Sequence, residues 1–251
     1  MLSKSKIKFI RSLRLKKNRV VHQKFIVEGE KIVNELIDSD FKIYEIFALQ
    51  EWIDKYNCSH ASLCKISRNE LKQISLLRSP NQVLVIVGMK ESFINSLDLN
   101  NKLSLVLDNI QDPGNLGAII RTCDWFGIRN IICSKDTVDI FNSKVIQSTM
   151  GSFFRVQVQY KDLVEFLQEI KDKKLPIYIS CTSGKNISLK EKYKKNGVII
   201  IGNESQGVSS RLQDFSSNRI SIENIGESAE SLNAASATAI LLHVFCTDYL
   251  L

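Results

Sequence analysis

Apolar and polar positions along this chain recur with a period of two in some stretches and about 3.6 in others, which predicts strands and helices in turn. Leu103-Ser-Leu-Val-Leu-Asp108 is a short apolar run bounded by polar residues and reads as a strand. It breaks into the polar turn Gln111-Asp-Pro-Gly-Asn115-Leu-Gly117. A helical pattern follows over residues 118–126, where Ile119, Ile120, Cys123 and Phe126 fall at core-facing spacings. Strand, turn and helix in that order open the strand's C-terminal end and the helix's N-terminus onto one crevice, where open α/β sheets bind ligands. Asn115 and Arg121 lie on that stretch. Gly197-Val-Ile-Ile-Ile201 repeats the pattern and ends in the turn Gly202-Asn-Glu204-Ser-Gln-Gly207. Ile220-Ser-Ile222 leads, through a polar stretch, to Ser231-Leu232-Asn233 at the mouth of a long C-terminal helix.

The remaining pattern is also mixed. Residues 25–27, 42–48, 62–66 and 83–87 read as strands, 30–37 as an amphipathic helix, and Ser67-Arg-Asn-Glu70 as a capping box that starts another helix. Residues 90–102 are polar and without period, which places a linker there and divides the chain into domains 1–95 and 103–251. Beyond it, strands at 130–133, 154–158, 177–181 and 198–201 alternate with helices near 143–148 and at 161–171. The chain is therefore of the α/β class, and its larger domain should hold a parallel sheet with helices on both faces.

Charge changes the picture at the N-terminus. The 34 Lys and Arg against 27 Asp and Glu give a net charge of +7, and a polyanionic partner fits that balance. Over residues 4–24 no carboxylate interrupts the basic residues, and Ile7, Ile10 and Leu13 recur at near-helical spacing. A basic helix with one packed face is expected, presenting Lys8, Arg11, Arg14, Lys16, Lys17 and Arg19 to the phosphates of a partner. A merely solvated helix is the alternative.

The six cysteines form no Cys-x-x-Cys pair, which suits buried thiols in a reducing compartment. Cys58, His60 and Cys64 lie close in sequence but lack a fourth ligand at metal-site spacing, so no metal is expected. No apolar run approaches the ~18 residues of a membrane span, and no secretory signal pattern opens the chain, so a cytoplasmic protein is expected.

Taken together, the three strand-end stretches resemble the three motifs of the SpoU branch of the SPOUT RNA methyltransferases, also called the TrmH family. Asn115, Gly117 and Arg121 match the first, Gly202, Glu204 and Gly207 the second, and Ser231, Leu232 and Asn233 the third, across residues 103–251. The stretch Phe25-Ile-Val-Glu28-Gly29 with its following helix is similar to the L30e-like substrate-binding domain that precedes many such catalytic domains. The resemblance implies a SPOUT domain whose parallel sheet carries a deep trefoil knot, a homodimer formed through the C-terminal helix, and transfer of a methyl group from S-adenosylmethionine to a ribose 2′-hydroxyl of RNA. Ribosomal RNA is the expected substrate. The alternatives are a transfer-RNA 2′-O-methyltransferase, a non-catalytic RNA-binding protein that keeps the fold, and a nucleotide-binding enzyme of small molecules.

The resemblance also implies site roles. Asn115, Arg121, Glu204, Ser231 and Asn233 are the candidate catalytic residues. Ile201, Gly202, Gly207, Ile222 and Leu232 are the candidate cofactor contacts, with Thr182, Ser183 and Gly184 after another strand closing the adenine or ribose side. Individually Asn115 also suits a turn, Glu204 a surface charge, Ser231 an N-cap and Asn233 a polar first-turn residue. The arginine is assigned in the family to the attack of the 2′-hydroxyl. A guanidinium is too basic to serve readily as a base, so Arg121 is read as the group that holds phosphate and stabilises the emerging alkoxide. The third motif often has a proline after its isoleucine, and Glu223 stands there instead.

Overall fold

The computed structural model describes residues 1–90, 102–216, 218–226 and 229–247. Most of the linker assigned to residues 90–102 falls outside them. The chain begins with two short helices, α1 (Lys4–Ser12) and α2 (Lys16–His22), where the pattern predicts one basic helix. They are followed by β1 (Lys24–Glu28), α3 (Glu30–Ile37), β2 (Ile43–Ala48), α4 (Gln50–Tyr56), β3 (Leu63–Lys65), α5 (Arg68–Ile74) and β4 (Val83–Gly88). These strands make a four-stranded sheet in the order β1-β4-β2-β3, with β4 antiparallel to both neighbours. Ser67 and Glu70 close the predicted capping box at α5. Glu70 also accepts the Leu2 amide, and these backbone donors hold its carboxyl down at about 2. Ile10 and Leu13 of the basic stretch enter the core with Ile26, Phe47, Leu71 and Leu84.

The C-terminal part runs β5 (Leu103–Leu107), α6 (Pro113–Trp125), β6 (Asn130–Ser134), α7 (Ser143–Thr149), a 3-10 turn at Ser152–Phe154, β7 (Gln157–Lys161), α8 (Leu163–Asp172) and β8 (Ile177–Asn186), and then β9 (Gly197–Ile201), α9 (Ser210–Gln213), β10 (Arg219–Ser221) and α10 (Ala234–Cys246). Its sheet has six strands in the order β10-β8-β9-β5-β6-β7, and every pairing in it is parallel. The buried runs of β5 and β9 are apolar at nearly every position, as central strands covered on both faces must be. Phe166, Leu167 and Ile170 of α8 pack on Val106, Ile179, Val198 and Ile200 of the sheet.

Contacts divide the chain into two compact units. The first holds the described residues of Met1–Glu91 together with Asp139–Phe154, and the second those of Ser92–Val138 and Arg155–Leu251. The stretch 139–154, expected with the C-terminal domain, therefore belongs to the first unit. Aromatic packing explains why: Phe141 and Phe153 sit 4.9 and 5.6 Å from Phe25, and Phe154 lies edge-on to Phe41 at 5.4 Å. Phe153 and Phe154 are thereby held in the 3-10 turn, and the strand predicted over 154–158 starts only at Gln157.

Arg19 corrects another expectation. Its side chain is 4% exposed, with Nε and Nη2 donating to Asp139 Oδ2 and Nη1 donating to the carbonyls of Leu13 and Arg14 at 3.0 and 2.8 Å. It satisfies carbonyls at the end of α1 that have no helical partner, which is where the expected single helix breaks. So Arg19 is internal and presents no charge to a phosphate. Lys8, Arg11, Arg14, Lys16 and Lys17 are exposed.

Candidate active site

The site is built where strands of the second unit end. Asp108, directly after β5, is buried, and its Oδ2 accepts the Ser209 amide at 2.8 Å. Asn109 follows with φ +58°, and its carbonyl accepts from Asn203 Nδ2 at 3.0 Å, so the ends of β5 and β9 are tied side by side. The turn after β9 closes on itself: Asn203 and Gly207 exchange backbone hydrogen bonds at 3.1 and 2.8 Å. Asn203 Oδ1 accepts the Ser205 amide inside that turn. A Cβ on Gly202 would lie 2.1 Å from the Gly207 carbonyl carbon, so only glycine lets the two legs approach this closely. Gly207, at φ +68°, takes the left-handed conformation that brings the chain back.

Three motif residues form a hydrogen-bonded relay. Helix α6 starts at Pro113 with Asp112 as its N-cap, earlier than the periodic pattern indicates, which puts Asn115 in its first turn. Asn115 Nδ2 donates to Glu204 Oε1, and Asn115 Oδ1 accepts from Asn233 Nδ2 at 2.9 Å. Asn233 is the N-cap of α10, its Oδ1 accepting from the amides of Ala235 and Ser236. Each amide is thus fixed at both ends, and the donors all point toward the Glu204 carboxylate.

Beside the relay is a cavity of about 870 Å³, within the ~300–1,000 Å³ range of small-ligand sites. Its walls are the ends of β8 and β9, the 202–208 turn, residues 222–224 and 229–232, and the start of α10. Ile201, Gly202, Glu204, Gly207, Ile222, Ser231, Leu232 and Thr182 all line it, as do Arg219, Glu223, Asn224 and Glu230, which pattern alone does not single out. Arg219 opens β10, and Glu223, Asn224 and Glu230 follow it.

Other expected members stand elsewhere. Thr182, Ser183 and Gly184 continue β8 where the sequence suggests a turn, and neither Ser183 nor Gly184 is on the cavity wall. A Cβ on Gly184 would come within 2.7 Å of the Arg219 and Ile220 backbone, so this glycine admits strand β10. The N-cap of α10 is Asn233, leaving Ser231 exposed on the wall. Arg121 is exposed, makes no hydrogen bond or ion pair among the described residues, and does not line the cavity. Six residues beyond Asn115, it sits about 9 Å further along α6 and about 120° around it. Trp125, 85% exposed, stands one turn beyond on the same stripe.

Burial raises the pKa of both the Cys123 and the Cys133 thiols, which keeps them inert. Among the described residues no group of three or more His, Cys, Asp or Glu side chains could hold a metal ion, and no helix is long and apolar enough to cross a membrane.

Fold and site together define an α/β protein that binds its ligand at the carboxyl ends of parallel strands. Residues 102–243 match the SpoU rRNA Methylase family, and residues 4–85 match the MRM3-like substrate binding domain. The chain belongs to the SpoU rRNA Methylase family. It is 29% identical over 239 residues, 95% of this chain and 94% of the other, to the 23S rRNA (guanosine(2553)-2′-O)-methyltransferase RlmP of Bacillus subtilis. A TrmH-family protein from Porphyromonas gingivalis superposes with a TM-score of 0.87 at 32% identity over 98% of both chains. The AdoMet-bound rRNA methyltransferase from Sinorhizobium meliloti gives 0.83 at 26% identity, over 97% of this chain and 95% of that one.

Proposed function

We propose that the protein transfers a methyl group from S-adenosylmethionine to a ribose 2′-hydroxyl of ribosomal RNA. The observation that carries this reading is the Asn233–Asn115–Glu204 relay, which ties all three family motifs together beside one cavity. The cavity suits the cofactor because part of its wall is backbone: Gly202 has no room for a side chain, leaving peptide groups to meet the ligand. Ile201, Gly202, Gly207, Ile222 and Leu232 would hold the cofactor largely through backbone groups, with Thr182 of β8 also on the wall. The cofactor supplies a methyl group already activated on a sulfonium sulfur.

The residues of the chain supply position and field. Asn115 and Glu204, with Asn233 holding Asn115 in place, fix polar groups that orient the substrate ribose, and Ser231 adds a hydroxyl on the cavity wall. Arg121 holds a phosphate of the substrate and stabilises the alkoxide character that develops as the 2′-hydroxyl loses its proton. Lys8 and Arg11 on α1, Arg14 in the turn after it, and Lys16 and Lys17 on α2 meet RNA phosphates. The B. subtilis relative and the SpoU rRNA Methylase match favour ribosomal over transfer RNA.

The proposed homodimer is supported by α6 and α10, which pack on one another and leave Trp125 and Ile240 exposed as apolar surface for a second copy. The enzyme would act in the cytoplasm. The test is transfer of labelled methyl to RNA from cells lacking the gene, followed by alkaline hydrolysis. A 2′-O-methyl group protects the adjacent phosphodiester, so label recovered only in alkali-sensitive nucleotides would overturn the ribose target.

A further inference from the structure

The end of β8 and the loop that follows it carry a charge that the site described above does not use. Lys185-Asn-Ile-Ser-Leu-Lys190-Glu-Lys192-Tyr193-Lys194-Lys195 holds five lysines and one carboxylate. That carboxylate is already engaged, with Lys185 Nζ 2.8 Å from Glu191 Oε1. The pairing lowers the pKa of Glu191 and raises that of Lys185, so both stay charged and cancel. Lys190, Lys192 and Lys194 are left exposed, and none makes an ion pair among the described residues. Their charge faces water.

The segment is nevertheless anchored. The Tyr193 ring stacks on Phe245 of α10 at 4.4 Å and 25°, and lies edge-on to Tyr178 of β8 at 6.4 Å. Its hydroxyl accepts the Ser188 amide at 3.1 Å and donates to Glu191 at 3.3 Å. Ser188 Oγ accepts the Lys190 amide, and the Ile187 amide donates to Ser221 of β10. A floppy lysine tail would lose most of its binding free energy to ordering, whereas an aromatic anchor under the loop removes much of that cost in advance. Position matters as well. Strand β8 runs from Thr182 on the cavity wall to Lys185 in three residues, about 10 Å at the rise of a strand. The lysine loop therefore begins close to the cavity, in the same unit.

Resting on the methyltransferase reading, we propose that residues 185–195 form a second RNA-contacting surface, on the catalytic unit, that grips phosphates of the strand carrying the target nucleotide. Lysines serve as point charges for phosphate, a role that needs no fixed fork geometry and fits three side chains fanned from one loop. The surface is separate in sequence and in unit from the cations of α1 and α2.

The experiment uses the full chain and an in vitro transcript of the host's large-subunit ribosomal RNA. Binding is measured across a salt series for the parent and for the triple substitution Lys190→Gln, Lys192→Gln and Lys194→Gln. If each lysine meets one phosphate of a single strand, the slope of log affinity against log salt should fall by about 2 in total. The KM for RNA should rise while S-adenosylmethionine affinity holds. Tyr193→Leu, which keeps every charge, should weaken binding and leave the slope. Parental affinity in Tyr193→Leu would overturn the anchored presentation. An unchanged slope and KM in the triple variant, with the parent still methylating RNA, would overturn the loop assignment alone. A changed oligomeric state at an unchanged slope would assign the loop to a second copy and overturn it equally. A parent that methylates no RNA would instead overturn the reading on which it rests.

Discussion

Asn233 Nδ2 lies 2.9 Å from Asn115 Oδ1, joining two residues 118 positions apart, and Asn115 in turn donates to Glu204. Because the Asn233 carbonyl oxygen is committed to the first amides of α10, its NH₂ must face Asn115, whose own NH₂ must then face the carboxylate. The start of the C-terminal helix thereby sets the orientation of a group on α6. A change at any one member should be felt at the other two.

Replacing Asn115 with aspartate tests the polarity of this relay. Two carboxylates at hydrogen-bonding distance cannot both ionise cheaply, so in Asn115→Asp the new carboxyl group and Glu204 should together hold a proton well above the ordinary carboxylate range. Methyl transfer should be low at neutral pH and recover as pH falls, when the shared proton restores one donor. The check is a pH–rate profile for Asn115→Asp against the parent; parallel profiles would show that Asn115 does not need to donate to Glu204.

Arg19 should matter for stability while contributing nothing to phosphate binding. Its partner Asp139 has a side chain 13% exposed, and Arg19→Met would leave Asp139 Oδ2 and the Leu13 and Arg14 carbonyls without this donor. A loss of about 3 to 5 kcal/mol is expected for breaking one side of such a buried pair. Thermal unfolding should register this as a large fall in midpoint, while the salt dependence of RNA binding stays parental in whatever fraction remains folded.

Glu28 gives the first unit a pH signature. It is 3% exposed, and burial raises its pKa above 4.5 against the opposing hydrogen bonds from Ser75 and the Leu76 amide. The folded chain therefore keeps this proton after the unfolded chain has lost it. The associated stability is complete below pH 4.5 and is lost as pH rises through the folded-state value. Glu28→Gln removes the titration, so parent and variant stabilities should change relative to one another only above about pH 4.5, with the parent declining. Urea midpoints collected across the acid-to-neutral range that ran parallel would contradict this.

The strands are legible in the sequence because their burial leaves little choice of residue: Val83–Gly88 and Gly197–Ile201 are buried along their whole length. Elements with mixed signals are not. Helix α4 leaves no clear pattern because only Trp52 among its seven residues is buried and no side chain caps it. The start of α6 reads late because Asp112-Pro113-Gly114 is equally a turn tripeptide and a good opening for a helix. Strand β8 reads short because its second half is polar and exposed. The three motifs can be found as stretches, but the pairing of Asn115 with Glu204 spans 89 positions and leaves no local trace. Arg19 reads like every other cation in its run until Asp139, 120 positions away, closes on it.

The cations of α1 and α2 are better tested by charge than by deletion. Removing residues 1–24 would take Ile10 and Leu13 out of the core, where they are 0% and 1% exposed, and would confound folding with binding. The substitutions Arg11→Gln, Arg14→Gln, Lys16→Gln and Lys17→Gln touch only exposed side chains. Each of these cations that meets a phosphate should, once neutralised, lower the salt slope of RNA binding by about 0.7 to 0.9, with cofactor affinity unchanged. A slope equal to the parent's in the fourfold variant would identify this face as merely solvated.

Arg121 carries the sharpest test of the proposed chemistry. Its guanidinium has no partner among the described residues, and its side chain stands apart from both the relay and the cavity wall. Cofactor binding should therefore be indifferent to it, and any loss on substitution must come from the RNA side or from the reaction itself. If the guanidinium bridges a phosphate and the developing alkoxide, Arg121→Ala should reduce single-turnover methyl transfer by ~10²-fold or more at saturating cofactor. Arg121→Lys should recover little, because an ammonium keeps the charge but not the planar fork that reaches two oxygens at once. The Glu204→Gln variant provides the contrast, since it alters the cavity wall and should disturb cofactor affinity as well as rate. Measuring S-adenosylmethionine affinity by calorimetry alongside single-turnover transfer separates the two. Parental transfer in Arg121→Ala would remove the residue from the mechanism, and a loss confined to cofactor affinity would place it in a pocket that the structure does not extend to it.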